Sequence, residues 1–156
     1  MAKRGHRKIA LLNGQEGLST SIERVSGWKR ALSRAGSSAP ERYLYYGDWT
    51  AASGYAGTID LLDLPEPPTA IFSANFLMMT GALKAIRERK LRCPEDLEVM
   101  SSDDSEWLDV FLPAISTVAQ PSYEMGVGAA KLVLKRIKTP GRRFEQIVLP
   151  PQLVIR

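Results

Sequence analysis

Short blocks of apolar residues, each closed by polar ones, alternate along this chain with longer stretches in which apolar positions return every three or four residues. The blocks predict strands over residues 8–13, 43–46, 69–73, 98–101, 115–118, 146–149 and 153–155. Between them the spacing predicts a helix from Thr20 to Gly36, its apolar face made by Ile22, Val25, Trp28 and Leu32, with Thr20 and Glu23 spaced as a capping box. A second helix is expected over 53–62 with Tyr55, Ile59 and Leu62 inward, and a third over 75–90 with Phe76, Met79, Leu83 and Ile86 inward. A polar turn follows at 104–110. The most regular helix, over 122–138, presents Tyr123, Val127, Ala130, Leu134 and Ile137.

Strand and helix in alternation mean βαβ units, and therefore an α/β fold: an open parallel sheet flanked by helices. In such sheets the carboxyl ends of the strands meet along one edge, and ligands bind in the crevice outside it. Asn75, Asp103 and Gln120, far apart in sequence, each close a predicted strand and so are expected side by side on that edge.

The length of 156 residues suits one domain with a real core. No apolar run approaches the ~18 residues of a membrane span, and the basic start is followed by only Ile9-Ala10-Leu11-Leu12, too short for a secretory leader; a cytoplasmic protein is expected. One cysteine, Cys93, excludes an internal disulfide, and one histidine, His6, on a basic end expected to fray, leaves no multi-histidine zinc site and no Ser-His-Asp triad. The net charge of +4 is spread over three basic clusters without interleaved aromatics, which reads as solvated surface rather than as a nucleic-acid face. Gly14 and Gly17 lack the Lys-Ser/Thr of a phosphate loop, so no nucleotide, and no cofactor of any kind, is expected.

Candidate chemistry concentrates at the strand ends. Thr20 and Arg24 lie four apart on one helix face, where the guanidinium opposes the helix dipole and calls for a compensating ligand oxygen or an ion pair to Asp48 or Asp103. Trp49, in a loop after Gly47-Asp48, offers a stacking face for a sugar or flat heterocycle, or else a core or lid contact. Asp103 and Asp104 point apart, which favours a ligand contact plus a cap over a catalytic pair or metal site.

Several segments, in order, carry a resemblance: Gly5-His6-Arg7-Lys8-Ile9-Ala10, Ser19-Thr20 with Glu23-Arg24 and Gly27, Gly47-Asp48-Trp49, Pro67-Pro68-Thr69-Ala70-Ile71-Phe72-Ser73-Ala74-Asn75, Gly81-Ala82-Leu83, Pro94-Glu95-Asp96-Leu97 and Thr117-Val118-Ala119-Gln120-Pro121. Together the chain resembles the effector-binding region of the LacI/GalR transcription repressors. The resemblance implies one lobe of a periplasmic-binding-protein-like fold, with Ser19, Thr20, Arg24, Trp49, Asn75 and Asp103 as ligand-binding residues and Gln120-Pro121 as a hinge crossing between lobes. It departs at Phe76, where the family usually has aspartate, and at Ser101-Ser102, where it commonly has glycine and an aromatic.

The family's helix-turn-helix domain and most of a first lobe have no counterpart here, so the chain resembles the carboxyl-terminal portion. The resemblance sends the 122–138 helix back to that first lobe, which leaves its apolar stripe to dock elsewhere or to exchange within a dimer. What it implies is a ligand-sensing, dimerising lobe that is not an enzyme. Its partners would be a small polar effector such as a sugar, a second copy, and operator DNA only through the missing domain, with no membrane. The alternatives are a solute-binding protein of a sugar transporter and, further off, an α/β hydrolase-type enzyme.

Overall fold

Residues Ile9–Asn13 are buried without exception, and a strand covered on both faces belongs in the middle of a sheet. In the computed structural model, which describes residues 1–110 and 114–156 with Trp107 by its backbone alone, this strand, β1, pairs in parallel with β2 (Leu44–Tyr46) on one side and β3 (Ala70–Ser73) on the other. Parallel pairing continues through β4 (Glu98–Ser102) to β5 (Ser116–Ala119). The edge is then closed by β6 (Gln152–Val154), which runs antiparallel with Val154 opposite Thr117. The sheet is therefore mixed, in the order β2-β1-β3-β4-β5-β6.

The chain steps from β1 to β2 in one direction and from β2 through β3 to β4 in the other. With right-handed connections, α1 (Ser19–Arg34) must cover one face of the sheet while α2 (Ala51–Leu62) and α3 (Phe76–Glu88) share the opposite one. The reversal falls between β1 and β3, and the crevice at that point lies at their carboxyl ends. Small residues let α2 and α3 approach closely: a Cβ on Gly54 would strike the backbone of Met78, and one on Gly81 would strike the backbone of Ala51 and Tyr55. The core beneath is Leu11, Leu12, Leu32, Ile71, Met78, Met79, Leu97 and Ile115, all at most 2% exposed.

Several expected faces are turned from where periodicity put them. On α1 the buried positions are Ser21, Trp28 and Leu32, whereas Ile22 is 57% exposed. Trp28 fixes this rotation, because its Nε1 donates to the Ile9 carbonyl at 3.0 Å and Ser21 sits two turns earlier on the same side. The helix starts at Ser19 with Leu18 as its cap, so Thr20 lies inside the first turn and the capping box with Glu23 does not form. On α2 the buried side is Gly54, Gly57, Thr58 and Leu61, with Tyr55, Ile59 and Leu62 at its margins, since the seam with α3 selects small residues over large ones. On α3, Met78, Met79, Gly81, Ala82, Ala85 and Ile86 are buried.

The amino-terminal segment is docked rather than frayed. His6 places Nε2 2.8 Å from the buried Glu98 carboxylate and Nδ1 2.9 Å from Thr69 Oγ1, at the amino ends of β3 and β4. Residues 146–149 form no strand: β6 occupies the free edge of β5, and Ile147 and Val148 are left exposed. The helix α4 (Ser122–Lys138) has the bounds its periodicity predicts, yet buries none of its residues; Tyr123 is 80% and Ile137 69% exposed.

Candidate functional site

The carboxyl ends of five parallel strands form one rim, and each delivers a polar or aromatic side chain there. Next to the β1 tip, the Asn13 amide donates to the Ser21 carbonyl at 3.1 Å and ties the strand to the first turn of α1, while the Asn13 carbonyl accepts from Gly47 N at 2.8 Å. These bonds bring the loop after β2 over the end of β1. Trp49 in that loop lies against Gly14, and the Arg24 guanidinium stands over its ring, 5.3 Å from the centroid.

The stack gives the charge of Arg24 a partner within the chain. Among the described residues Arg24 makes no ion pair, with Asp48 or Asp103 or any other group, and the indole face supplies the compensation instead, an interaction worth about 0.5–2 kcal/mol. Asp48 is turned to its own loop, accepting from Thr50 N at 3.1 Å and Thr50 Oγ1 at 2.6 Å. Hydrogen bonds from Ser53 and Thr50 hold its carboxyl at about 2. Thr50 in turn caps α2 by accepting from Ser53 N at 3.2 Å.

Asn75, at the tip of β3, caps α3 through Oδ1, which accepts from Met78 N at 2.9 Å, and donates from Nδ2 to the Trp49 carbonyl at 3.0 Å. Two strands from β1, roughly 10 Å by strand spacing, Asp103 ends β4 with its own N donating to the Val118 carbonyl at 3.0 Å. Its carboxylate accepts from Gln120 Nε2 at the tip of β5. Trp49 and Asp103 both have φ near 70°, the left-handed region that non-glycine residues occupy only when their surroundings hold them there.

The neighbouring Asp104 points elsewhere, as adjacent residues must. It accepts from Thr117 Oγ1 at 2.9 Å and pairs with Arg156 at 2.8 Å, and the bond from Arg156 lowers its carboxyl below the ordinary range. Arg156 also pairs with Asp109, so this cluster braces the β4–β5–β6 edge. Among the described residues no three His, Cys, Asp or Glu side chains gather as a metal site would require.

The structure thus brings Arg24, Trp49 and Asn75 into one connected unit and places Asp103 with Gln120 further along the same rim. Ser19 and Thr20 are exposed on the first turn of α1, beside the β1 tip. Pro121 caps α4 directly after Gln120. Sequence reasoning missed the role of Gly14, whose value is steric and becomes visible only once Trp49 is folded over it. It placed Gln120 beside Asp103 on the rim and as a crossing, but not the hydrogen bond that its amide donates to that carboxylate.

Among known proteins, the family described as periplasmic binding protein-like domain matches residues 1–156. The HTH-type transcriptional repressor PurR of Vibrio atlanticus is 33% identical over 156 residues, all of this chain and 47% of the relative. The ribose operon repressor of Haemophilus influenzae is 35% identical over 152 residues, 97% of this chain and 46% of the relative. A solved complex of the transcriptional regulator CelR with cellobiose superposes with a TM-score of 0.92 at 35% identity, over 99% of this chain and 47% of that one. The chain spans about half the length of the curated relatives it matches. Among the described residues no helix is long and apolar enough to cross a membrane.

Proposed function

Because this chain belongs to the periplasmic binding protein-like domain family, in the group of LacI-type transcription repressors, we propose that it is an effector-binding lobe of a transcriptional regulator. Its rim of strand ends forms one wall of the recognition cleft. The single observation that carries this reading is the rim itself: a guanidinium stacked on an indole beside Asn75, with the Asp103 carboxylate along the same edge. An aromatic face flanked by fixed donors and acceptors suits a small polar molecule with several hydroxyl groups, a sugar above all. The cellobiose complex of CelR supports that ligand class.

In this reading Ser19, Thr20, Arg24, Trp49 and Asp103 contact the effector, and Gln120-Pro121 is the hinge where the chain leaves the lobe. Binding energy spent on closing the cleft reorients the lobes and their dimer partner, and so couples the effector to DNA affinity in the parent protein. The exposed stripe of α4 is the surface through which the lobe joins the remainder of that protein. The relatives are repressors rather than enzymes, which favours binding over turnover.

A thermal-shift screen of sugars, nucleosides and amino acids on a two-lobe protein tests this. An effector at a hundred times its Kd should add about 2.7 kcal/mol of stability without being consumed. Arg24→Ala and Trp49→Ala should each remove the gain. Turnover of a stabilising compound, or full stabilisation of both variants, would refute the proposal.

A further inference from the structure

We infer that Gly14 and Asn75 position Trp49, and through it Arg24, so that these two residues set effector affinity through the placement of the indole. The inference rests on reading the rim as an effector site and names two residues on which that site depends. Trp49 has φ 70°, a conformation that a bulky residue keeps only where its neighbours over-determine it. Asn75 is one such neighbour. Its Nδ2 holds the Trp49 carbonyl at 3.0 Å while its Oδ1 is committed to Met78 N, so one amide fastens the strained residue to the rigid start of α3. One N–H and one lone pair of the amide remain, so this bond fixes Trp49 whatever else Asn75 touches.

Gly14 holds the other side. Its φ lies outside the left-handed region, so glycine is required there for space rather than for conformation. Any Cβ would overlap Cε2, Cζ2 and Cη2 of the indole, which rests directly on the backbone at the β1 tip. Arg24 then finds the ring at 5.3 Å, and the guanidinium takes its place from the indole. Displacing the ring must displace the cation. The clash from a Gly14→Ala change falls on the far end of a side chain that can swing away, so the fold survives while the platform moves.

The test labels the whole chain with 5-fluorotryptophan and follows 19F NMR, the Trp49 resonance being identified by its loss in Trp49→Phe. Gly14→Ala should shift that resonance and leave Trp28 in place. Asn75→Asp keeps an acceptor for Met78 N but has no donor for the Trp49 carbonyl, and should shift it as well while α3 stays folded. An unmoved Trp49 resonance in both variants overturns the inference, whatever the effector proves to be. Cellobiose, ribose, adenosine and cytidine are then titrated into the unsubstituted chain. For a compound that binds, Gly14→Ala should weaken Kd by about tenfold, and much less in a Trp49→Phe background, where the smaller ring leaves room. An equal loss in both backgrounds also overturns it. If none of the four binds, the effector-site reading fails for those compounds, and the NMR result still decides the positioning.

Discussion

Replacing Gly81 by alanine separates two effects that usually travel together. In an exposed helix interior the change would be favourable, since alanine exceeds glycine in helix propensity by about 1 kcal/mol. At Gly81 the new Cβ meets the carbonyl oxygen of Ala51 and the backbone nitrogen of Tyr55. Neither is the tip of a side chain that can rotate away, so α2 must withdraw bodily from α3. Overpacking of this kind costs about 1–3 kcal/mol, here at the upper end because backbone is struck. After subtracting the propensity gain, Gly81→Ala should destabilise by about 2 kcal/mol, a fall in Tm of about 4–8 °C for a chain of this size. Gly54 faces Met78 across the same seam, so the double Gly54→Ala, Gly81→Ala variant should lose less than the sum, the second methyl entering a gap the first has opened. Gly126, in α4 with nothing within 4 Å of its added Cβ, is the control. Gly126→Ala should raise helicity by circular dichroism and leave the urea midpoint of the sheet core unchanged. A Gly81→Ala protein as stable as the parent, measured by urea unfolding at constant slope, would refute the seam argument.

Other outcomes follow from single contacts. Leu11→Ala, at a fully buried position of β1, should cost about 2–5 kcal/mol in urea unfolding. Trp28→Phe keeps most of the apolar area but leaves the Ile9 carbonyl without its donor, which should cost about 1–3 kcal/mol, whereas no loss would show the bond to be dispensable. The Asp104 carboxyl is lowered by Arg156 and Thr117, so its contribution is complete above the unfolded value of about 3.9 and fades as pH falls through the lower folded value. Asp104→Asn should therefore flatten the acid limb of the stability profile below pH ~4, and a variant whose urea midpoint falls as steeply as the parent's in that range would contradict this assignment.

Much of the architecture is legible in the sequence because strand blocks and helix bounds are local properties. The limits of α4 could be read from spacing alone, and Asn75 and Asp103 could be placed at strand ends from the residues around them. Which face of a helix turns inward is not local. On α2 the larger apolar residues lost the inward position to Gly54, Gly57 and Thr58, because a second helix had to pass close by. On α1, Ser21 displaced Ile22 because Trp28 anchors the rotation through a bond to β1. Residues 146–149 have the composition of a strand, but a strand needs a partner, and the free edge of β5 is paired with β6 instead. At the rim, the residue types announced themselves, whereas their couplings did not: Arg24 to Trp49, Gln120 to Asp103, and the bare backbone of Gly14 beneath the indole all depend on segments that meet only in three dimensions.

The independence of α4 from the sheet has a mechanical meaning. A segment that contributes nothing to the cohesion of the body it is attached to can be tilted, gripped or released by another body without loosening that core. Force applied along it reaches the lobe at the Gln120–Pro121 junction, where Gln120 holds Asp103, and through residues 139–151, which lead into β6. Such an attachment has a pivot at either end, and the one set next to the rim of strand tips is where movement of a neighbour and occupancy of the rim would be felt together.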